Sequence, residues 1–217
     1  RNTIDVVYDT GSDWLVIPDS DCYQCDGNKH DNSDATAIET TPSERLYGSA
    51  ALVGKTYSDK TCLTTQESSC VADFEYFAFH EQTGINDPIE GILGLCLGHQ
   101  MLLAAEPIEI GPLYIDALVA DGKIDTAEFS FAMNGMDTDN SVIDIGSPLG
   151  SRVNGGLDAM VEVPMLRDFF WAQFWEGFRA NPLDDSTAFN VGDPYTILDT
   201  GSSHMFLPPS MFSGFVA

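Results

Sequence analysis

The chain has 217 residues, of which 43% are apolar, enough to close a sizeable core in one large or two small domains. Nine basic residues stand against 34 acidic ones, a formal net charge of −25, and that field argues against nucleic acid or an anionic membrane as a partner. No run of about 18 apolar residues occurs, which excludes a helical membrane span from the expected elements.

In chain order, a β-type run at 4–8 leads into the turn DTGS at 9–12, and a second apolar run follows at 14–17. Cys22 and Cys25 then form a C-x-x-C within a polar, turn-rich stretch. Strands are expected at 46–57 and 71–79, and between them Cys62 and Cys70 bracket LTTQESS, which reads as a hairpin tip. Cys96 sits in the apolar run GILGLCLG and is expected to be a buried free thiol. Leu113, Ala117 and Leu118 have helical spacing, and the Asp-Gly at 121–122 stops a helix that starts at Pro112 or Leu113. Strands follow at 129–133, 142–145, 161–165, 195–198 and 204–207, and a short helix begins at Pro209 with Met211 and Phe212. The whole reads as a mainly β chain with a few short helices, and the turn-rich stretch 134–156 is the expected lobe boundary, dividing 1–134 from 135–217.

Two local cysteine pairs, Cys22 with Cys25 and Cys62 with Cys70, predict disulfides and an oxidising compartment. A zinc site needs a second close Cys/His pair, and His30, His80, His99 and His204 show no ligand spacing, so no metal or other cofactor is expected. The acidic composition is ordinary for a soluble surface. It also suits work at low pH, where protonation of many carboxylates relieves their mutual repulsion.

The tetrapeptide DTGS occurs twice, at 9–12 and 199–202. Aligned, VVYDTGSDWLVIP and TILDTGSSHMFLP share an apolar lead-in, the turn, and a proline nine residues after the aspartate, Pro18 and Pro208. That is one strand–turn–strand unit used twice. Related by a local two-fold, the two turns bring Asp9 and Asp199 face to face. Two carboxylates at that distance cannot both ionise cheaply, so one keeps its proton over a wide acidic range. A general base and a general acid then flank one water, an arrangement that adds water to an amide without a covalent intermediate.

These residues resemble the pepsin-like (family A1) aspartic proteases. The resemblance extends to EGILGLCLG at 90–98, similar to the segment that threads behind the first active-site loop. It includes YGSAALVG at 47–54, similar to the hairpin flap, with AEFSFAM at 127–133 and DIGSPLGS at 144–151 leading into a second lobe. FFWAQF at 169–174 resembles the aromatic strand before the second aspartate. The resemblance implies a bilobal double β-barrel, the N-terminal lobe nearly complete and the C-terminal lobe only partly present. It implies Asp9 and Asp199 as the catalytic pair and Thr10 and Thr200 as partners in reciprocal bonds that lock the loops. Gly11 and Gly201 would permit close approach, Ser12 and Ser202 would bond the carboxylates, and Tyr47, Gly48 and Ser49 would cover bound peptide. Trp171 and Trp175 are expected to be core or surface residues rather than substrate contacts.

The implied activity is that of a monomeric acid endopeptidase, secreted or in a lysosome- or vacuole-like compartment. It would cut peptides with apolar side chains beside the scissile bond and bind statine-type inhibitors. The alternative is a non-catalytic homologue that serves as a binding or structural protein; intact DTGS at both sites argues against it. Three features depart from the pattern. Val16 stands where family members carry a Trp bonded to the flap tyrosine, the nearest Trp being Trp14; Ala50 replaces a flap glycine; and members extend about a hundred residues past the second DTGS, so 1–217 is expected to be the central part of a longer protein.

Overall fold

The computed structural model describes residues 3–47, 50–85, 89–98, 110–133, 141–166, 169–175, 177–179, 188–190, 195–209 and 212–213. Seven strands form one sheet: β1 (Val6–Asp9), β2 (Leu15–Pro18), β3 (Thr36–Ala37), β4 (Ser43–Tyr47), β5 (Ala50–Cys62), β6 (Cys70–Thr83) and β7 (Gly91–Gly94). Their order is β1-β7-β2-β6-β5-β3, with β4 also on β5. β7 lies between β1 and β2, parallel to the first and antiparallel to the second.

The period of two in β2 and β6 sends apolar side chains to both faces of this sheet, so it carries a core on each side. On one face, Val16, Phe77 and Phe79 pack with Trp14, Cys22 and Leu52. On the other, Leu15, Ile17, Phe74 and Tyr76 pack with Leu93 and Leu95. The helix α1 (Tyr114–Ala120) covers that second face with Tyr114, Ile115 and Leu118, all buried. The Tyr114 hydroxyl lies 2.8 Å from the Thr61 carbonyl and 2.7 Å from that of Ser69, which pins the helix to the far end of the β5–β6 hairpin.

The sequence expectation of a single strand at 46–57 resolves into the end of β4 and the start of β5, with Tyr47 opposite Ala50. The hairpin tip expected at 62–70 is present: Cys62 pairs with Cys70 across the ladder, and the two are joined by a disulfide. Cys22 and Cys25 are likewise joined, and Cys96 is buried and free. The Cys62–Cys70 bond closes a short loop, so Cys62→Ala with Cys70→Ala is expected to cost the complete protein about 2–3 kcal/mol, measured by urea unfolding under oxidising conditions.

Beyond α1, β8 (Phe129–Ala132) and β9 (Val142–Ile145) form an antiparallel pair whose Phe129, Phe131, Ile143 and Ile145 pack on the α1 face of the core. Two further antiparallel pairs follow: β10 (Ala172–Phe174) with β13 (Tyr195–Ile197), and β11 (Gly177–Arg179) with β12 (Ala188–Asn190). The runs 161–165 and 204–207 are not strands. Their apolar side chains, such as Val161 at 85% and Phe206 at 80% exposed, have no sheet to enter among the described residues, and an apolar pattern without a ladder partner does not make a strand. Residues 209, 212 and 213 have helical backbone, as expected; Met211 lies outside the described residues.

Candidate active site

β1 delivers Asp9 to the edge of the sheet, where it stands beside Gly94 of β7. The segment after β7 runs behind the turn that follows Asp9. Leu95 N–H donates to the Asp9 carbonyl (2.7 Å), Cys96 N–H to that of Ser12 (2.9 Å), and Gly94 N–H to that of Trp14 (2.9 Å). The approach is so close that a Cβ on Gly94 would stand 2.6 Å from the Asp13 backbone nitrogen, which only glycine allows.

β13 delivers Asp199 in the same way. Leu198 N–H donates to the Trp171 carbonyl (3.0 Å), while the Trp171 indole N–H donates to the Leu95 carbonyl (2.7 Å) and Leu97 N–H to the Phe169 carbonyl (3.0 Å). The backing of the first turn is therefore bonded to the backing of the second. Trp171, expected to be a core or surface residue, is the side chain that joins them, and its indole also meets Phe129 edge-on at 5.4 Å.

The two turns bond each other reciprocally. Thr10 N–H donates to Thr200 Oγ1 (3.1 Å), and Thr200 N–H donates to Thr10 Oγ1 (2.9 Å). The Thr10 hydroxyl donates to the Leu198 carbonyl (2.7 Å), and the Thr200 hydroxyl to the Tyr8 carbonyl (2.6 Å). Each carboxylate receives the same two donors. Asp9 accepts from Gly11 N–H (2.8 Å) and the Ser12 hydroxyl (2.5 Å); Asp199 accepts from Gly201 N–H (2.9 Å) and the Ser202 hydroxyl (2.7 Å). Each of these eight bonds has its counterpart across the pair of turns, which is a local two-fold written in hydrogen bonds.

This lock leaves room for nothing larger than glycine between the turns. A Cβ on Gly11 would lie 2.8 Å from Asp199 Cγ, and one on Gly201 would lie 2.6 Å from Asp9 Cγ. Burial pushes the Asp9 carboxyl above the ordinary carboxylate range, and a side-chain hydrogen bond with Asp199 and the repulsion of its charge push it further. The Ser12 hydroxyl and the Gly11 N–H pull the other way and do not overcome those effects.

Around this pair, Asp13 sends its carboxylate to the Gly111 N–H (2.6 Å), and burial raises its pKa as well. Tyr47 lies on the inward face of β4 and packs with Trp14 and Val16. Its hydroxyl is buried without a hydrogen-bond partner among the described residues, and burial together with the Asp13 and Asp9 charges drives its pKa far up. Gly48 and Ser49 lie outside the described residues; Ala50 is buried opposite Tyr47. Val16 is fully buried, and Trp14, two residues earlier, falls on the same face by the strand's period of two. The Cys96 thiol is pushed up to about 12 by burial, which leaves it an inert core group. Among the described residues no cluster of three or more His, Cys, Asp or Glu side chains is placed to hold a metal ion.

Two members of this neighbourhood carry weak sequence signals. Asp13 directly follows the first DTGS, where a third acid is visible but its Gly111 partner, 98 positions away, is not. Arg45 is one of only nine basic residues and alternates inward with Tyr47, a pattern that singles it out only once the strand is known.

The family model for eukaryotic aspartyl protease matches residues 1–217. Relatives include a probable vacuolar protease A of Arthroderma benhamiae, 28% identical over 223 residues, which cover 96% of this chain and 51% of that protein. A vacuolar protease A of Aspergillus fumigatus is 27% identical over 221 residues, 95% of this chain and 50% of that one. The crystal structure of an aspartic proteinase from Irpex lacteus superposes with a TM-score of 0.74 at 18% identity, over 99% of this chain and 60% of its own. The fold is thus the mainly β, pepsin-like one, and the chain spans about half the length of the curated relatives it matches.

Proposed function

The chain belongs to the eukaryotic aspartyl protease family, and on that premise we propose that it acts as an acid endopeptidase whose catalytic pair is Asp9 and Asp199. One observation supports this reading: reciprocal threonine bonds join two turns whose carboxyls each accept the same pair of donors. In this reading a water sits between the carboxyls. The ionised member takes its proton as the oxygen attacks the peptide carbonyl, and the protonated member gives its proton to that carbonyl oxygen. The resulting diol collapses as the amine leaves with a proton from the pair. No covalent bond to the protein forms at any step. Ser12, Ser202 and the N–H groups of Gly11 and Gly201 aim the outer lone pairs, so the inner ones face the water. The hairpin bearing Tyr47, Gly48 and Ser49 covers a peptide with apolar side chains beside the scissile bond, and the two lobes meet near residue 134.

An acidic, vacuole-like compartment suits the names of the relatives and the charge of −25. The linkage has the matching sign. Asp9 and Asp13 have raised folded pKa values, so the stability tied to their protons is complete below the ordinary carboxylate range and is lost as pH rises through the raised values. Peptide cleavage by the full-length protein is expected to follow a bell confined to acid, near pH 4 and absent near pH 8, and to stop with a statine-containing inhibitor. Equal rates at both pH values, or indifference to the inhibitor, would rule the reading out.

A further inference from the structure

Strand β4 turns Ser43, Arg45 and Tyr47 to one face and Glu44 and Leu46 to the other. Arginine is an unusual choice for an inward position and calls for a partner. The Arg45 guanidinium carbon lies 3.7 Å from the centroid of the Trp14 ring and 4.8 Å from that of Phe77. Both rings are buried, Phe77 completely. Trp14 leads into β2 and Phe77 lies in β6, so the cation bridges the hairpin strand to two inner strands of the sheet.

Among the described residues no side-chain hydrogen bond makes this link: Arg45 Nη2 donates to the Thr56 hydroxyl (3.5 Å), which lies on β5. The Tyr47 hydroxyl and Arg45 Nε are both buried without a hydrogen-bond partner among the described residues. The neighbouring polar bonds run within the hairpin region itself: Glu39 accepts from the Ser43 hydroxyl (3.1 Å) and from the Thr56 N–H (3.0 Å) and hydroxyl (2.9 Å). The Asp13 carboxylate is near enough for its charge and that of Arg45 to act on each other, but it is bonded to Gly111. Backbone ladders tie β4 to β5 and β5 to β6, and Tyr47 packs with Trp14 and Val16; to these the ring stack adds a cation held directly over Trp14 and Phe77.

We propose that Arg45 is a positioning residue: stacked on Trp14 and Phe77, it fixes the height of the β4–β5 hairpin, and with it Tyr47, relative to the turn that carries Asp9. A cation over an indole shifts an equilibrium by roughly twofold at exposed sites to about thirtyfold when desolvated. The stack is therefore strong enough to bias how the hairpin seats, beyond what its ladder and the Tyr47 packing supply, while leaving the sheet beneath intact. Its consequence for turnover rests on the proteolytic reading above, since the hairpin must cover a peptide for its position to matter.

The test uses the full-length protein with Arg45→Met, which keeps the apolar stem, Arg45→Lys, which keeps a cation, and Trp14→Leu. Backbone amide exchange and the kinetics of a peptide substrate are read on each. Arg45→Met is expected to speed exchange in β4 about tenfold with β6 and β7 unchanged, and to raise KM about tenfold with kcat altered less than about threefold. Arg45→Lys should recover most of both effects. Trp14→Leu should match Arg45→Met, and the double variant should be no worse than either single one. Faster exchange spread evenly over the sheet, unchanged exchange in β4, or single effects that multiply in the double variant would overturn the proposal. Should Arg45→Met fail to fold, Trp14→Phe carries the test, because it keeps a ring in the core and weakens the stack; parent-like exchange in β4 then counts against it. A parent protein that cleaves no peptide would sink the proteolytic reading, whereas exchange in β4 answers for Arg45 alone.

Discussion

Asp199→Asn in the full-length protein is expected to lower kcat for peptide cleavage at least about a thousandfold while leaving the fold in place. The amide has the shape of the carboxyl, but it cannot pass a proton, and one of its two ends cannot accept a hydrogen bond. Asp199 receives two donors, Gly201 N–H and the Ser202 hydroxyl; the variant keeps the first on its amide oxygen and turns its NH2 to a Ser202 hydroxyl that now accepts, so what it loses is the acid. Asp9→Asn should be as severe for the same reason, its donors being Gly11 N–H and the Ser12 hydroxyl. The double variant should be little worse than either single one, because groups that share a proton act as one unit. Steady-state kinetics at acid pH, with thermal unfolding as the control for folding, decide the matter. Activity within tenfold of the parent in either single variant would show that the carboxyls do not share the work.

A single methyl should be nearly as damaging as the loss of a carboxyl. Gly201→Ala would place Cβ 2.6 Å from Asp9 Cγ, and Gly11→Ala would place it 2.8 Å from Asp199 Cγ. Neither glycine has a positive φ, so the backbone accepts alanine and the penalty is purely steric. The carboxyl that must move is held by two donors and cannot swing aside without breaking them. Displacement of about 1 Å at a reacting group costs on the order of a hundredfold, and that loss in kcat is the expected result for each variant. The Thr10–Thr200 bonds hold the turns together, so the same variants should also unfold at lower urea. A Gly201→Ala protein with activity within about fivefold of the parent would mean that the turns part easily.

The features legible from sequence were those whose chemistry is local. DTGS repeats as four letters, and the carboxylate, hydroxyl and backbone donors that serve each aspartate lie within three residues of it. The helix at Tyr114–Ala120 and the Cys62–Cys70 tip are local in the same sense. What stayed hidden depends on partners far along the chain. β7 begins and ends in glycine, which looks unlike a strand until Asp13 and Val16 are seen to press against it. The apolar runs at 161–165 and 204–207 look like strands and are not, because strand formation needs a neighbour as well as a pattern. Arg45 reads as an ordinary surface charge until Trp14, 31 positions earlier, is found beneath it.

The bonds between Thr10 and Thr200 span 190 residues of chain. Closing a loop of that length costs roughly 4–5 kcal/mol in chain entropy, and nothing offsets it until the strands behind both turns have formed. Trp171 and Leu97 join the segments behind the two turns, and their bonds bring Asp199 toward Asp9. The meeting of Asp9 and Asp199 is thus expected among the last contacts the polypeptide makes. On the proposed reading, a half-folded molecule would carry both aspartates without hydrolytic capacity, because each is then an ordinary solvated side chain. Unfolded segments of the same chain would, on that reading, meet such a pair only after they had themselves been buried.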